Sequence, residues 1–193
     1  MASISERLNR ALRYGYQEYF GESELIRFQR LTPVGGAKSD LIQIASHLLS
    51  FVSLPEAEGA GIAIGRFAFP RIRTGFNDKL RFSEARFRIL TPNERVRSGV
   101  CRLIDEVFRP GGFPVLCVET AEAFEFELQA ESTDSANHVA AALLCGILLE
   151  SCAELTGGKT VRCEWIEPNG FQLFLDPLNH SYSGVCNTCC KKF

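Results

Sequence analysis

The stretch VAAALLCGILLESCAEL, residues 139–155, decides how the rest of the chain is read. From Val139 to Leu149 it carries no charge and no strong hydrogen-bonding side chain. Those eleven residues are too few to cross a bilayer as a helix, which takes roughly 20. Polar residues stand only at the ends of the helix expected over 136–155: Asn137 and His138 at the start, Glu150, Ser151 and Glu154 in the last two turns. A helix that is apolar all round is a buried one. Gly157 and Gly158 then close it.

Working outward, the residues on either side read as strands. In FEFELQA, Phe124, Phe126 and Leu128 point one way and Glu125 and Glu127 the other, so one face of the sheet is wet. FPVLCVET precedes it as a second strand. Beyond the helix, Val161, Cys163 and Trp165 alternate with Arg162 and Glu164, PNG at 168–170 is a hairpin turn, and FQLFLDP is the returning strand.

The N-terminal half has helical periodicity. Ser3 and Glu6 form a capping box ahead of Ile4, Leu8, Ala11, Leu12 and Tyr19, followed by a turn at Gly21 and a short ELIRFQRL. TPVGGAKSD at 32–40 is a loop by composition. Ser39 or Asp40 caps a second helix with Leu41, Ile44, Ala45, Leu48 and Val52 on its apolar face, and SLPEAEGAG breaks it. GIAIGRFAFPRIRTGF fits a strand by its aromatics and a tightly packed helix up to Pro70 by its small residues; the helix is preferred. Thr91, Pro92 and Glu94 are an N-cap, a first-turn proline and a capping-box partner, and Val96, Val100, Leu103, Ile104 and Val107 make the stripe that Pro110, Gly111 and Gly112 end. The order is helices first, then β-β-α-β-β: an α+β fold with a small antiparallel sheet packed on one side by helices. Residues 1–177 form one domain and 178–193 a flexible, cysteine-containing tail.

Bulk properties narrow the function. The chain has 193 residues, of which 46% are hydrophobic and 23% charged, and a net charge of −2. That is a soluble globular composition with no global basic field, so no nucleic-acid partner is expected. The N-terminus reads as neither signal peptide nor membrane span. Five of eight cysteines (Cys101, Cys117, Cys145, Cys152, Cys163) sit in apolar patterns as small hydrophobes, and a reducing, cytoplasmic setting is expected.

One face of the central helix is small: Ala142, Cys145, Gly146, Leu149, Cys152 and Ala153. Small residues permit close backbone approach or leave room for a slender ligand, and both readings stay open here.

ANHVAAALLCGILLESCAEL, CEWIE and GFQLFL together resemble the C-terminal half of the TRAPP (transport protein particle) subunit family, and GAGIAIGRFAF resembles that family's second-helix motif. The resemblance covers roughly residues 59–176. The fold is shared with bacterial vinyl-reductase-type domains that bind hydrocarbons and other small apolar molecules. The resemblance implies a non-enzymatic subunit that forms homo- or heterodimers with related subunits, through the first helices and segment 59–69, in a vesicle-tethering assembly. The alternative it implies is a binder of a small apolar ligand, in a pocket of Ala142, Cys145, Gly146, Leu149, Cys152 and Trp165. Some family members hold an acyl chain on a cysteine soon after the second-helix motif; RTGFNDKLRF has none, and no cysteine precedes Cys101. Cys163 matches the first cysteine of the vinyl-reductase-type hairpin, but FQLFL supplies no second.

Other chemistry is thinner. His180, Cys186, Cys189 and Cys190 in the tail are weak candidates for a metal, since adjacent cysteines rarely share one ion; CCKKF would serve as an acylated, peripheral membrane anchor; the plainer reading is exposed thiols. His47 reads as solvated. Asp134, Ser135 and His138 lie too close in sequence for a triad and read as a helix cap. Arg66, Arg71, Arg73, Lys79, Arg81, Arg86 and Arg88 interleave with Phe67, Phe69, Phe76, Phe82 and Phe87, which fits a solvated face over an aromatic core, or a surface meeting phosphates. No cofactor and no catalytic residue is expected.

Overall fold

The structure is a computed structural model, and it describes residues 2–31, 40–120, 122–129, 132–158, 161–166 and 169–174. The tail at 178–193, with its candidate metal ligands and anchor, and the loop at 32–39 lie outside the described residues.

Helix α1 spans Ile4–Phe20, and the expected capping box forms: Glu6 N–H donates to Ser3 Oγ at 3.1 Å and Ser3 N–H to the Glu6 carboxylate at 2.7 Å. Its buried residues are Leu8, Ala11, Leu12, Gly15 and Tyr16. The expected stripe ended on Tyr19, but Tyr19 is 40% exposed and Tyr16 is the fully buried ring. Tyr19 keeps to the same angular stripe, but it is the penultimate residue of α1, where its ring stands exposed.

After α2 (Glu22–Leu31) comes α3 (Asp40–Leu49). Val52, expected on the α3 face, lies beyond the helix end. Helix α4, Leu54–Gly75, corrects two expectations. It starts inside the segment read as a break, because Ser53 and Glu56 make a second capping box with Pro55 in the first turn. It also runs through Pro70 rather than stopping there. Pro70 is exposed, so the carbonyl it leaves unpaired one turn earlier is not stranded in the core. Two single turns, α5 (Asn77–Leu80) and α6 (Ala85–Arg88), lead to α7 (Pro92–Arg102), capped by Thr91 as expected. The helix continues into a π-helical turn, Leu103–Phe108, in which Arg109 N–H reaches the Ile104 carbonyl at 2.9 Å.

The sheet has four strands: β1 (Val115–Glu119), β2 (Ala123–Leu128), β3 (Cys163–Ile166) and β4 (Gly170–Phe174). Their order is β1-β2-β4-β3, every neighbouring pair antiparallel. Phe124, Phe126, Leu128, Cys163, Phe171 and Leu173 are buried on one face, with Phe126 stacked on Phe171 at 4.9 Å. Glu127, Glu164, Leu116, Val118 and Ile166 are exposed. This is an α+β fold.

Helix α8, Asp134–Thr156, joins the two hairpins. Thr133 caps it and Gly157, at φ 74°, ends it in the left-handed conformation that favours glycine. At 23 residues it is long and apolar enough to cross a membrane by length and composition alone, although the uncharged run that opened the sequence is shorter. Here α3, α4, α7, β2 and β4 pack around it, and Val139 to Leu148 are all buried.

Candidate functional site

The question posed by the small face of α8 is what lies against it. Helix α4 does. Glu58 bonds His138 at one end of the seam, Nε2 to carboxylate 2.9 Å, and Arg73 pairs with Glu154 at the other, at 2.6 Å, so the two helices run parallel. Between these ties the helices meet through glycine. A Cβ placed on Gly146 would overlap the Ile62 carbonyl oxygen and lie 3.0 Å from the Ile62 Cα. A Cβ on Gly61 would lie 3.3 Å from the Ala142 Cβ. Gly15 of α1 approaches the opposite side of α4 as closely, its Cβ position 2.9 Å from Ala68 N.

The six positions expected to line a pocket are therefore divided. Ala142 and Gly146 face α4. Cys145 turns to the sheet, where its Sγ lies 3.3 Å from Cys163 Sγ. Cys152 is fully buried, its thiol pushed up to about 12 by desolvation and by neighbouring Cys163. Leu149 is half-buried against the core. Trp165 lies against His138 with the rings tilted by 34° and their centroids 4.8 Å apart, at the far end of the seam. Cys163 finds its sulfur neighbour on the helix rather than on the returning strand.

His138 does not take part in the cap, as its nearness to Asp134 and Ser135 suggested. The cap is Thr133, whose hydroxyl accepts from Ala136 N–H at 3.2 Å. His138 instead reaches Glu58, a pairing between residues 80 apart that no local pattern signals. Among the described residues no cluster of three or more His, Cys, Asp or Glu side chains is placed to hold a metal ion.

Segment 59–69 lies within α4 and is largely consumed inside the molecule. Ala60, Gly61, Ile64, Gly65, Ala68 and Phe69 are buried, and only Arg66 and Phe67 are exposed. The basic stretch behaves mainly as a solvated face. Phe69, Phe76, Phe82 and Phe87 are buried beneath it, while Arg73, Lys79, Arg81 and Arg86 pair with Glu154, Glu106 and Glu84.

An apolar surface the sequence did not single out lies at the C-terminal end of α1. Phe20, Leu31, His47, Ser50 and Phe51, with Glu24 and Arg27, line a concavity of about 310 Å³. Leu31 is 64% and Phe51 50% exposed. Tyr19 stands edge-on to Phe20 at 4.7 Å, and Phe20 edge-on to Phe51 at 5.8 Å, so the rings form a continuous cluster. Beneath them Tyr16 stacks on Phe28 at 5.1 Å. Burial lowers the pKa of His47, helped by Arg27; burial, with Glu24 beside it, pushes Tyr16 up to about 12. His47, read as solvated, is half-buried, and its ring lies 5.1 Å from Phe51 and 5.3 Å from Phe28.

No protein-family model matches the chain, and no curated protein matches it in a sequence search.

Proposed function

We propose that this chain is a non-enzymatic scaffold subunit that pairs through its helices, in the manner of the vesicle-tethering TRAPP subunits its sequence resembles. One observation carries the reading: exposed Tyr19, Leu31 and Phe51, with half-buried Phe20 between them, join α1, α2 and the end of α3 into one apolar face. Contiguous apolar surface of this kind marks a contact site more often than an accident of folding. Aromatic residues that can bury ring area on association are the usual anchors of such contacts. The alternative, a slender apolar ligand beside Gly146, needs space where the Ile62 backbone already sits. Of the expected pairing surface, the first helices and segment 59–69, the proposal keeps the first helices, at the C-terminal end of α1, and drops segment 59–69; the partner is a second copy of the chain or a related subunit.

Sedimentation velocity over a range of concentrations tests the self-pairing form. The wild-type chain is expected to dimerise, and Phe51→Glu and Leu31→Glu to remain monomeric with unchanged circular dichroism. A wild-type chain that stays monomeric at every concentration, or variants that dimerise as well as wild type, would overturn it.

A further inference from the structure

A second concavity lies at the other end of α1, away from the aromatic cluster. Arg7, Arg10, Ala11 and Tyr14 of α1 face Arg71, Thr74 and Gly75 of α4 across a groove of about 380 Å³. Three arginines line it. The guanidinium carbon of Arg71 lies 4.1 Å above the Tyr14 ring and that of Arg7 4.3 Å above the Phe76 ring. Stacking of this kind fixes a guanidinium plane and leaves its in-plane N–H groups free to meet oxygen acceptors in pairs. Acids do little to neutralise the groove. Asp78 approaches Arg7 only at 3.8 Å and is itself largely exposed, and Glu6 is held by the cap at Ser3. Neither Arg10 nor Arg71 has an acidic partner among the described residues. Nearby Arg73 and Arg13, by contrast, are paired with Glu154 and Asp40.

Three guanidinium groups lining one concavity, two of them without an acidic partner among the described residues, favour a multiply charged oxyanion, and phosphate oxygens accept from guanidinium N–H groups in pairs. We propose that the groove between α1 and the C-terminal half of α4 binds a phosphate-bearing ligand, with Arg7, Arg10 and Arg71 donating to its terminal oxygens. The site is independent of the pairing surface, which occupies the opposite end of α1, so either proposal can fail alone.

Calorimetric titration of the 193-residue chain with pyrophosphate, at low and high salt, is the test. Binding is expected, weakening as salt rises. Arg10→Gln and Arg71→Gln should each reduce affinity by about tenfold or more, the effect of losing a charge-assisted hydrogen-bond donor. Arg30→Gln, on the exposed face of α2, should leave it unchanged. A parallel flotation assay uses phosphatidylcholine vesicles with and without phosphatidic acid. Capture by phosphatidic acid that Arg10→Gln abolishes would make the ligand a lipid headgroup; pyrophosphate binding without capture would make it a soluble phosphate compound. No binding in either assay, or equal losses in the Arg10, Arg71 and Arg30 variants, would overturn the proposal.

Discussion

Gly65 of α4 and Gly146 of α8 meet with no side chain between them: a Cβ on Gly65 would lie 3.1 Å from the Gly146 Cα and 2.9 Å from Ile147 N. Close approach of two helix backbones requires residues without a Cβ. The α4–α8 seam is thereby the point on which the rest of the helical layer is hung.

The first prediction separates packing from helix propensity within one helix. Alanine is the better helix former by about 1 kcal/mol, so Gly59→Ala, with nothing within 4 Å of the new methyl, should stabilise the chain by up to that amount. Gly65→Ala makes the same chemical change against backbone and should instead cost about 1–3 kcal/mol. Urea denaturation of both variants gives the two signs directly.

The second concerns the ion pair that ties α1 to α3. Arg13 donates to Asp40 through Nε at 2.5 Å and through its terminal nitrogen at 3.1 Å, and Asp40 is 3% exposed. Asp40→Ala leaves a guanidinium without its partner, and a loss of about 3–5 kcal/mol is expected. Replacing both residues, as Arg13→Met with Asp40→Leu, should restore much of that loss, because no uncompensated charge remains. Thermal melts of the single and double variants decide it.

A third prediction follows from His47, whose pKa is lowered by burial and by Arg27, with Glu24 opposing. The unfolded chain binds a proton near pH 6.5 that the folded chain resists. The contribution of His47 to stability is therefore complete above that value. It is lost as pH falls towards the lowered folded pKa. In the proposed dimer His47 would be buried further, so the dimer should also weaken on acidification from neutral pH. Denaturation and sedimentation at pH above and below that window are expected to fall together in the wild type, and His47→Phe should flatten both slopes. A dimer that tightens with acid would contradict the placement of His47 in the interface.

A fourth concerns the thiols. Cys145, Cys152 and Cys163 are buried and clustered between α8 and β3, and Cys117, half-buried on β1, is pushed up to about 12 by desolvation. The thiolate is the reactive form, held down by desolvation at Cys152 and Cys117, and burial shields Cys145 and Cys163 from reagent, so these four cysteines should resist alkylation in the native chain and react only on unfolding. Peptide mass mapping after brief native alkylation checks this; rapid labelling of Cys152 would show a path to solvent along α8.

Much of the fold was legible because its signals are local. Ser3 with Glu6, Thr91 with Glu94, and the alternation through Phe124–Leu128 each predict an element from a few adjacent residues, and each element is there. Ser53 with Glu56 carried the same kind of signal for the start of α4, but Pro55 and the following glycines made the stretch read as a break. Gly61 is interfacial rather than helix-breaking, as is Gly65 one turn on, because α8 needs the space, whereas Gly59 faces open space. The small face of α8 announced close packing or a pocket without saying which, since both demand absent side chains. Only the position of Ile62, more than 80 residues earlier in the chain, distinguishes them. Glu58–His138 and Arg13–Asp40 were invisible for the same reason. The aromatic cluster was not singled out, because Phe20, Leu31 and Phe51 belong to three different segments that the tertiary fold brings together.

The central claim is that the apolar surface of this chain serves a partner chain rather than a small molecule. Native mass spectrometry of the purified 193-residue protein, followed by solvent extraction and a denatured mass, tests it most directly. The account predicts a dimer of unmodified chains with nothing extracted. A monomer that carries a small apolar molecule would contradict it.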